Sequence, residues 1–449
     1  MAAGDVHAIA DQALANTSYL LDVGGGQAVV IDPRRDIDGY LRLADRLGLR
    51  IAASLETHLH ADFVSGSREV AGATGAEVVA PTDANLRFPF RAVQQGDCLD
   101  LGEARIEVIR TPGHTPEHVA YFMTEPSSAV FSGGSLIVGG AARTDLTGAD
   151  RTRELAGAQF DSLRRLAALP TGTLLHPTHG AGSFCSTSRG DRTGTTIGDE
   201  LASNPLLATL DRDEFVDRFI EGFGSYPTYF LHLREVNRNP VLLADLSPAR
   251  ALPAAQAAEL VDRGAWLIDG RPVETWAAEH PRGAISINVR PDFAAWLGWV
   301  VPFGEPIVLV VEDHQFEEAL RLAHRIGYDR ILGWVKGGIE GWRAAGLRTA
   351  SVEAITAEQA RTRAEAGARL MDVRQDSEWA RSRIPGAVHV ELGDVIAGRG
   401  RAGDALIAYC GHGERSATAA SLLARDGVDV ANLTGGISAW KRAGLPIER

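Results

Sequence analysis

Three side chains that could bind a metal ion lie close together in one stretch of this 449-residue sequence. His58, His60 and Asp62 alternate with other residues directly after an apolar run at 51–55. We predict that residues 51–55 form a buried strand and that residues 64–74 form the following helix. The three polar side chains would then lie at the carboxyl end of a strand, where α/β folds present their chemistry.

Two more histidines occupy turns of the same kind further along the chain. His114 follows a predicted strand at 105–109, and His179 follows a predicted strand at 173–175. A lone histidine is more often a surface residue or a satisfied core residue. Several histidines at successive strand ends, separated by ordinary core sequence, instead favour one shared metal site.

A second kind of chemistry is indicated near the end of the chain. Residues 405–409 predict a buried parallel strand, and residues 417–423 predict the start of a helix. A loop of this length directs successive backbone N–H groups at the first side chain, and the helix dipole and an arginine add positive potential. These features favour a reactive thiolate and would stabilise a persulfide on the same sulfur. The nucleophile would be Cys410, followed in the loop by Gly411, His412, Gly413, Glu414, Arg415 and Ser416.

The composition is that of a soluble globular protein, with 45% hydrophobic and 23% charged residues. The length suggests about three domains. A net charge of −13 argues against nucleic-acid binding. The absence of a long apolar run and of a secretory signal predicts a cytoplasmic protein that does not bind membranes. Cys98, Cys185 and Cys410 are odd in number and far apart, which excludes a disulfide framework and favours a reducing compartment.

The histidine-bearing part of the chain resembles the metallo-β-lactamase superfamily. Its residues 58–63 match the His-x-His-x-Asp-His signature, except that Phe63 replaces the last histidine. The resemblance implies an αββα sandwich, which agrees with short strands that alternate with helices. Strands are predicted at 28–33, 77–81, 105–109 and 173–175, helices at 37–47, 153–169 and 205–223, and a long loop at 183–199.

The remainder contains an internal repeat of ~100 residues. Asp269-x-Arg271 is echoed by Asp372-x-Arg374, and a Gly-Gly-x-x-x-Trp motif at 337–342 is echoed at 435–440. Both copies resemble the rhodanese domain, a small parallel α/β fold. The first copy has three acidic residues and no cysteine at 312–317, so we expect it to be catalytically inactive. The predicted domains are 1–247 for the sandwich, 248–350 for the cysteine-free copy and 351–449 for the copy with Cys410.

The superfamily resemblance also assigns the metal ligands. It implies that His58, His60 and His114 form the first metal position, and that Asp62 and His179 belong to the second. In sulfur dioxygenases, the branch that residues 57–62, 111–115 and 142–146 most resemble, an aspartate completes an iron triad. Gly134 stands at that aspartate position, and Phe63 removes a ligand of the second metal. We therefore expect one Fe(II) ion, with Zn(II) or a metal-free site as alternatives.

These resemblances together imply an enzyme of sulfane-sulfur metabolism. The first domain would oxidise a persulfide to sulfite, and the last would transfer sulfur between thiosulfate or a persulfide and a glutathione-like thiol. A thioester hydrolase of the glyoxalase II kind and a metal-free scaffold for the sulfurtransferase remain alternatives. The role of Cys185, the direction of sulfur transfer and homo-oligomer formation stay open.

Overall fold

The computed structural model of the protein describes residues 3–186, 194–208, 211–400 and 405–449. The chain divides into two compact units, one of Met1–Leu246 with His324–Gly327 and one of Ser247–Ala323 with Tyr328–Arg449. Within the described ranges, no helix is both long enough and apolar enough to cross a membrane.

The first unit contains a mixed six-stranded sheet whose strands lie side by side in chain order. The first three strands pair antiparallel, and the pairs from the third strand to the sixth are parallel. The strands of this sheet are β1 (Val6–Asp11), β2 (Asn16–Gly24), β3 (Gln27–Ile31), β4 (Arg50–Leu55), β5 (Glu77–Pro81) and β6 (Arg91–Val93).

The second six-stranded sheet of this unit has the order β12-β11-β10-β9-β8-β7. Its pairs are antiparallel except that between β10 and β11. The strands are β7 (Cys98–Leu101), β8 (Ala104–Arg110), β9 (Val119–Glu125), β10 (Ala129–Gly133), β11 (Leu174–Pro177) and β12 (Thr195–Thr196).

The main core of the first unit lies between these two sheets. Tyr19, Leu21 and Val23 alternate along β2 and share one buried cluster with Ile106 and Val108 of β8, as the two-residue period of a strand requires. Separate clusters join each outer sheet face to its helices. The predicted αββα sandwich is therefore confirmed. The helices are α1 (Asp38–Leu47), α2 (Ser67–Thr74), α3 (Thr152–Ala167), α4 (Ile197–Ser203), α5 (Pro205–Ala208), α6 (Arg212–Glu221) and α7 (Phe230–Arg238).

Two predicted segments differ from the structure. The loop predicted at 183–199 ends early, because β12 and α4 begin before its end and Thr196 and Asp199 form a reciprocal cap for α4. Residues 187–193 lie outside the described ranges. The single helix predicted at 205–223 is divided into α5 and α6, because the Asp211 side chain accepts the Glu214 N–H and starts a new helix. Residues 209 and 210 between them are also outside the described ranges.

The second unit contains two parallel five-stranded sheets with the same strand order, one in each copy of the repeat. In the cysteine-free copy the order is β13-β18-β17-β14-β16, and β15 and β19 form a separate pair. Its elements are β13 (Arg250–Leu252), α8 (Ala254–Asp262), β14 (Trp266–Asp269), α9 (Val273–Ala278), β15 (His280–Pro281), β16 (Ile285–Ser286), α10 (Phe293–Val300), β17 (Ile307–Val310), α11 (Phe316–Arg325), β18 (Ile331–Val335), α12 (Gly338–Ala344) and β19 (Thr349–Ala350).

The copy with Cys410 has the order β20-β24-β23-β21-β22. The loop that begins with Cys410 follows β23, which is a central strand buried on both faces. The prediction of two parallel α/β domains is thus confirmed. The elements of this copy are β20 (Glu353–Ile355), α13 (Ala357–Glu365), β21 (Arg369–Asp372), α14 (Asp376–Trp379), β22 (Val388–His389), α15 (Leu392–Ile396), β23 (Leu406–Tyr409), α16 (Glu414–Arg425), β24 (Val430–Leu433) and α17 (Gly436–Arg442).

Candidate active sites

The first histidine of the turn after β4 is oriented by a buried aspartate at the end of β3. Thr57 donates both its backbone N–H and its hydroxyl to Asp32, each at 2.7 Å. The threonine oxygen also lies 2.8 Å from His58 Nδ1. Because its proton is given to Asp32, His58 must donate from Nδ1, which leaves the lone pair on Nε2.

His114 and His179 are held in the same protonation pattern by other partners. His114 Nδ1 donates to the Arg143 carbonyl at 2.6 Å, and its buried Nε2 has no hydrogen-bond partner within the described ranges. His179 Nδ1 donates to Asn16 Oδ1 at 3.0 Å. Both imidazoles therefore keep a free lone pair on Nε2.

The three imidazoles of His58, His114 and His179 converge on one point. Their ligand atoms all lie within 4.8 Å of one another, and His58 Nε2 lies 3.3 Å from His179 Nε2. Two lone pairs that face each other at this distance repel unless a proton or a cation lies between them. Burial and the neighbouring histidines hold the pKa of His58 and of His114 well below the usual range, so both are neutral ligands. The donor set fits a divalent metal ion.

His60 lies beside this group but is anchored differently. Its Nε2 lies 3.1 Å from Glu56 and 3.3 Å from Asp32, whereas its buried Nδ1 has no partner among the described residues. Burial opposes a charge here, yet Asp32 and Glu56 outweigh it and raise the pKa of His60 to about 10. A metal ion would therefore compete with a proton for His60 Nδ1.

Asp62 supplies the carboxylate of the cluster. Its Oδ2 accepts from Asn16 Nδ2 at 2.8 Å and lies 3.4 Å from His179 Nδ1, while its buried Oδ1 has no hydrogen-bond partner in the described part of the chain. Burial would raise the pKa of Asp62, but His179 and His60 outweigh that effect and lower it. Asp62 forms a second potential ligand group with His60 and His179. The structure thus brings all five predicted metal residues into one buried cluster.

Aromatic and imidazole rings fill the two positions where ligands were expected and not found. The Phe63 ring stacks on His60 with centroids 4.2 Å apart. Beside Gly134, His118 accepts the Gly134 N–H at 3.0 Å and stacks on His58. A Cβ atom on Gly134 would lie only 2.6 Å from the His114 ring. An aspartate cannot be placed at 134 without moving His114. The packing around the His114 ring therefore excludes a carboxylate at this position.

Several residues that position the cluster were not identified from the sequence. Asn237 of α7 donates to the carbonyls of His60 and Phe63 and so holds the motif turn from behind. Asp32, Glu56 and Asn16 each contact a candidate ligand across the fold. Asp32 and Glu56 carried a sequence signal, because Asp32 lies near the end of the predicted strand at 28–33 and Glu56 directly follows the one at 51–55. A cavity of about 10 Å³ beside His58 and His60 has room for about one water molecule.

The unassigned thiol of Cys185 lies in the neighbourhood of Asp62. Burial is the main cause that raises the pKa of Cys185 well above its usual range, and the Asp62 carboxylate raises it further. A thiol in these surroundings stays protonated and is a poor nucleophile.

At the second candidate site, the loop after β23 surrounds the sulfur of Cys410. The Gly413 N–H donates to Cys410 Sγ at 3.1 Å, and the Ser416 hydroxyl lies 3.6 Å from it. Cys410 is buried, and His412 at the tip of the loop is exposed. The Gly413 N–H is therefore placed to donate a hydrogen bond to the buried sulfur.

Two further contacts fix this loop. Arg415 makes a bidentate ion pair with Glu378, at 2.6 and 2.9 Å. Although burial opposes its charge, Glu378 and Cys410 raise the pKa of Arg415. Gly436, from the Gly-Gly-x-x-x-Trp motif, approaches so closely that a Cβ atom would lie 2.3 Å from the Cys410 carbonyl oxygen. The motif therefore packs directly against the backbone of the Cys410 loop and supports it.

The Asp-x-Arg motif is structural in both copies. Asp372 pairs with Arg374, which also donates to the Ser382 carbonyl at 2.7 Å. Asp269 pairs with Arg271 in the same way, and Arg271 donates to the Glu279 carbonyl at 2.8 Å. Because the cysteine-free copy keeps this arrangement, the motif closes a turn and does not by itself indicate catalysis.

Comparison with known proteins agrees with this architecture. The metallo-beta-lactamase superfamily profile matches residues 12–179, and the rhodanese-like domain profile matches 253–345 and 356–443. A hydroxyacylglutathione hydrolase of Rhodospirillum rubrum is 38% identical over 180 residues, which cover 39% of this chain and 66% of that protein. One of Hyphomonas neptunium is 30% identical over 236 residues, which cover 51% of this chain and 84% of that protein.

Among solved structures, a metallo-beta-lactamase from Staphylococcus aureus has a TM-score of 0.67 and 29% identity, and the match covers 74% of this chain and 98% of that one. Fold and site thus define a metallo-β-lactamase sandwich followed by two rhodanese-like domains. The chain belongs to the metallo-beta-lactamase superfamily. It spans just under two thirds of the length of the Rhodospirillum relative.

Proposed function

We propose that the protein is an enzyme of sulfane-sulfur metabolism with a sulfurtransferase centre at Cys410. The observation that carries this proposal is the Gly413 N–H aimed at Cys410 Sγ at 3.1 Å, in a loop that Arg415 and Glu378 close. The Cys410 thiolate would attack the outer sulfur of thiosulfate. A sulfur–sulfur bond forms, the bond to the sulfonate sulfur breaks, and sulfite leaves with the electron pair.

The second half-reaction returns the enzyme to its starting state. The thiolate of a glutathione-like acceptor attacks the outer sulfur of the Cys410 persulfide, and Cys410 leaves as a thiolate. The Gly413 N–H and the Ser416 hydroxyl face the sulfur that is negatively charged before the first step and again after the second. With a persulfide donor the same two steps apply, and the leaving group is a thiolate.

Replacing Cys410 by serine tests this assignment. We expect thiosulfate:cyanide sulfurtransfer by Cys410→Ser to fall by ~10³-fold or more, because the nucleophile is lost. Cys98→Ser is the matched control, since Cys98 is an exposed free cysteine, and it should keep parental activity. Retained activity in Cys410→Ser would refute the assignment.

For the histidine cluster we propose a mononuclear persulfide dioxygenase centre, as the resemblance to sulfur dioxygenases implies. His58, His114 and His179 would hold the metal, with His60 Nδ1 and Asp62 Oδ1 as the remaining unpartnered donors. A bound Fe(II) ion would supply the redox chemistry with dioxygen. The net reaction converts a persulfide, dioxygen and water into a thiol, sulfite and two protons. The two proposed activities share a persulfide, which is a chemical reason for their fusion.

A thioester hydrolase is the second candidate function, because the relatives that match the sandwich are named hydroxyacylglutathione hydrolases. Their name also indicates a glutathione-type thiol as the substrate class. A binuclear hydrolytic centre needs a complete second ligand shell. Phe63 fills the place of one second-metal ligand, and Gly134 supplies no bridging carboxylate. These two features favour the mononuclear oxidative reaction.

Metal analysis of the purified protein separates the candidates. About one iron per chain, with oxygen uptake on glutathione persulfide, supports the dioxygenase. Two zinc ions with hydrolysis of a hydroxyacylglutathione support the hydrolase, and a protein that takes up neither metal supports a scaffold. His114→Ala should lower metal occupancy by ~10-fold or more, whereas His232→Ala, which alters an exposed histidine of the same unit, should not.

A further inference from the structure

The cysteine-free copy reaches the Cys410 loop through the start of α10. Asp292 at this helix start pairs with Arg290 through two contacts of 2.7 Å and accepts the Trp296 indole N–H at 2.9 Å. Arg290 then lies 3.2 Å from Glu414, and the Trp296 ring lies 5.6 Å from the guanidinium carbon of Arg415. One short segment therefore contacts two consecutive residues of the catalytic loop.

The same copy also fixes the helix that begins at this loop. Thr418 of α16 donates its hydroxyl to the Ser286 carbonyl at 2.6 Å, and the Ser286 N–H donates to Ser421 at 3.2 Å. Because Ser286 ends β16, the first turns of α16 rest on a strand of the cysteine-free copy. Arg290 therefore lies in an interface between the two copies that is fixed by hydrogen bonds.

We propose that Arg290 is a positioning residue that lets anionic sulfur donors reach Cys410, which rests on the sulfurtransferase function proposed above. Its guanidinium faces two carboxylates, Asp292 and Glu414, and Glu414 directly follows the glycine whose N–H contacts the sulfur. Arg415 is already paired with Glu378. Without Arg290, the carboxylates of Asp292 and Glu414 would lose their paired cation next to the Cys410 loop, and we expect the added negative potential to repel thiosulfate.

Alkylation with a charged and a neutral reagent tests this role. In Arg290→Gln, the rate of Cys410 modification by iodoacetate should fall ~2- to 5-fold relative to iodoacetamide, which is the range for partly exposed charge pairs. Mass spectrometry of the Cys410 peptide reports the rates, and exposed Cys98 is the internal reference. The thiosulfate KM should rise by a similar factor with kcat little changed. In ~1 M salt the difference should vanish, because screening then acts within about 3 Å.

Three variants make the test specific. Arg290→Lys should restore the parental ratio, because it keeps the charge, and Glu414→Gln combined with Arg290→Gln should restore most of it. Arg321→Gln, which removes an arginine paired with Glu318 in the same copy, should change nothing. Equal slowing of both reagents would show a merely structural role, and an unchanged ratio, or a Cys410 that neither reagent modifies, would also overturn the proposal. Absence of sulfurtransfer in the parental protein would refute the proposed function while the alkylation ratio still reports on Arg290.

Discussion

The two rhodanese-like copies hold an aspartate–arginine pair in the same geometry and differ in the loop that follows β17 or β23. Strand register aligns them residue by residue, since Asp269 pairs with Val310 and Asp372 pairs with Tyr409. Val311 therefore stands where the other copy has Cys410. The frame of the fold is therefore independent of the cysteine, and the two copies differ in the loop that carries it.

In the cysteine-free copy, aromatic side chains pack at the loop that follows β17. Phe316 stacks on Trp334 with ring centroids 3.8 Å apart, and the Trp334 indole donates to Asp313 at 3.1 Å. At the position of Trp334 the other copy has Asn432, which donates to the Gly413 carbonyl and lies 2.6 Å from the Ser416 hydroxyl. Packed aromatic rings thus stand in the cysteine-free copy where polar contacts of Asn432 support the Cys410 loop.

The strongest challenge to this comparison moves the nucleophile from one copy to the other. In a Cys410→Ser background, Val311→Cys should recover no sulfurtransfer and stay ~10³-fold below the parental protein. The new thiol would have Glu312 and Asp313 next to it in place of the glycine-rich loop with the Gly413 N–H, so its thiolate would be disfavoured. Thiosulfate:cyanide assays of both variants, with circular dichroism as the control for folding, provide the measurement. Recovered activity would show that the loop contributes less than we infer.

The Cys410 loop could be predicted from the sequence because it is local. Its nucleophile, its glycines and Arg415 lie within seven consecutive residues, and a strand and a helix on either side fix their direction. The repeated Asp-x-Arg and Gly-Gly motifs likewise predicted the two domains. The sequence did not reveal that Gly436 packs against the Cys410 loop, because this contact joins residues that are far apart in the chain.

The histidine cluster was harder to predict from the sequence for the same reason, because its supporting contacts join residues far apart in the chain. The superfamily resemblance predicted His58, His60 and His114 as the first metal position. The structure instead groups His58 with His114 and His179. Their orientation depends on Asn16, Asp32 and the Arg143 carbonyl, whose side chains or backbone meet the ring nitrogens only after both sheets pack. The space beside Gly134 is taken by His118, and no linear pattern marks a residue that replaces a ligand by filling its volume.

Alanine substitutions at Gly436 and Gly338 compare the same motif in the two copies, and their expected effects on stability are of intermediate size. Gly436→Ala should lower the free energy of unfolding by about 2–4 kcal/mol, because the methyl group would overlap the Cys410 carbonyl in a left-handed backbone conformation. Gly338 has the same φ, but the nearest atom to its added Cβ lies 4.0 Å away, so Gly338→Ala should cost about 1–2 kcal/mol. Calorimetric unfolding measures both. Equal losses in the free energy of unfolding would mean that Gly436 does not support the Cys410 loop specifically.

The smallest expected effect concerns the ion pair between Arg415 and Glu378 in the copy with Cys410. Burial alone would raise the pKa of Glu378, but Arg415 outweighs it and lowers that pKa below the ordinary value of 4.5. A lowered pKa in the folded state means that the pair stabilises the fold above pH 4.5 and that this contribution is lost as the pH falls through the lowered value. Glu378→Gln should therefore reduce stability near neutral pH by about 1 kcal/mol or less and flatten its decline in acid. Thermal unfolding across this pH range measures the slope, and Thr275→Ala, at the equivalent position of the cysteine-free copy, should leave it unchanged. An acid slope that stays parental in Glu378→Gln would show that Arg415 is held by the loop itself and not by its carboxylate partner.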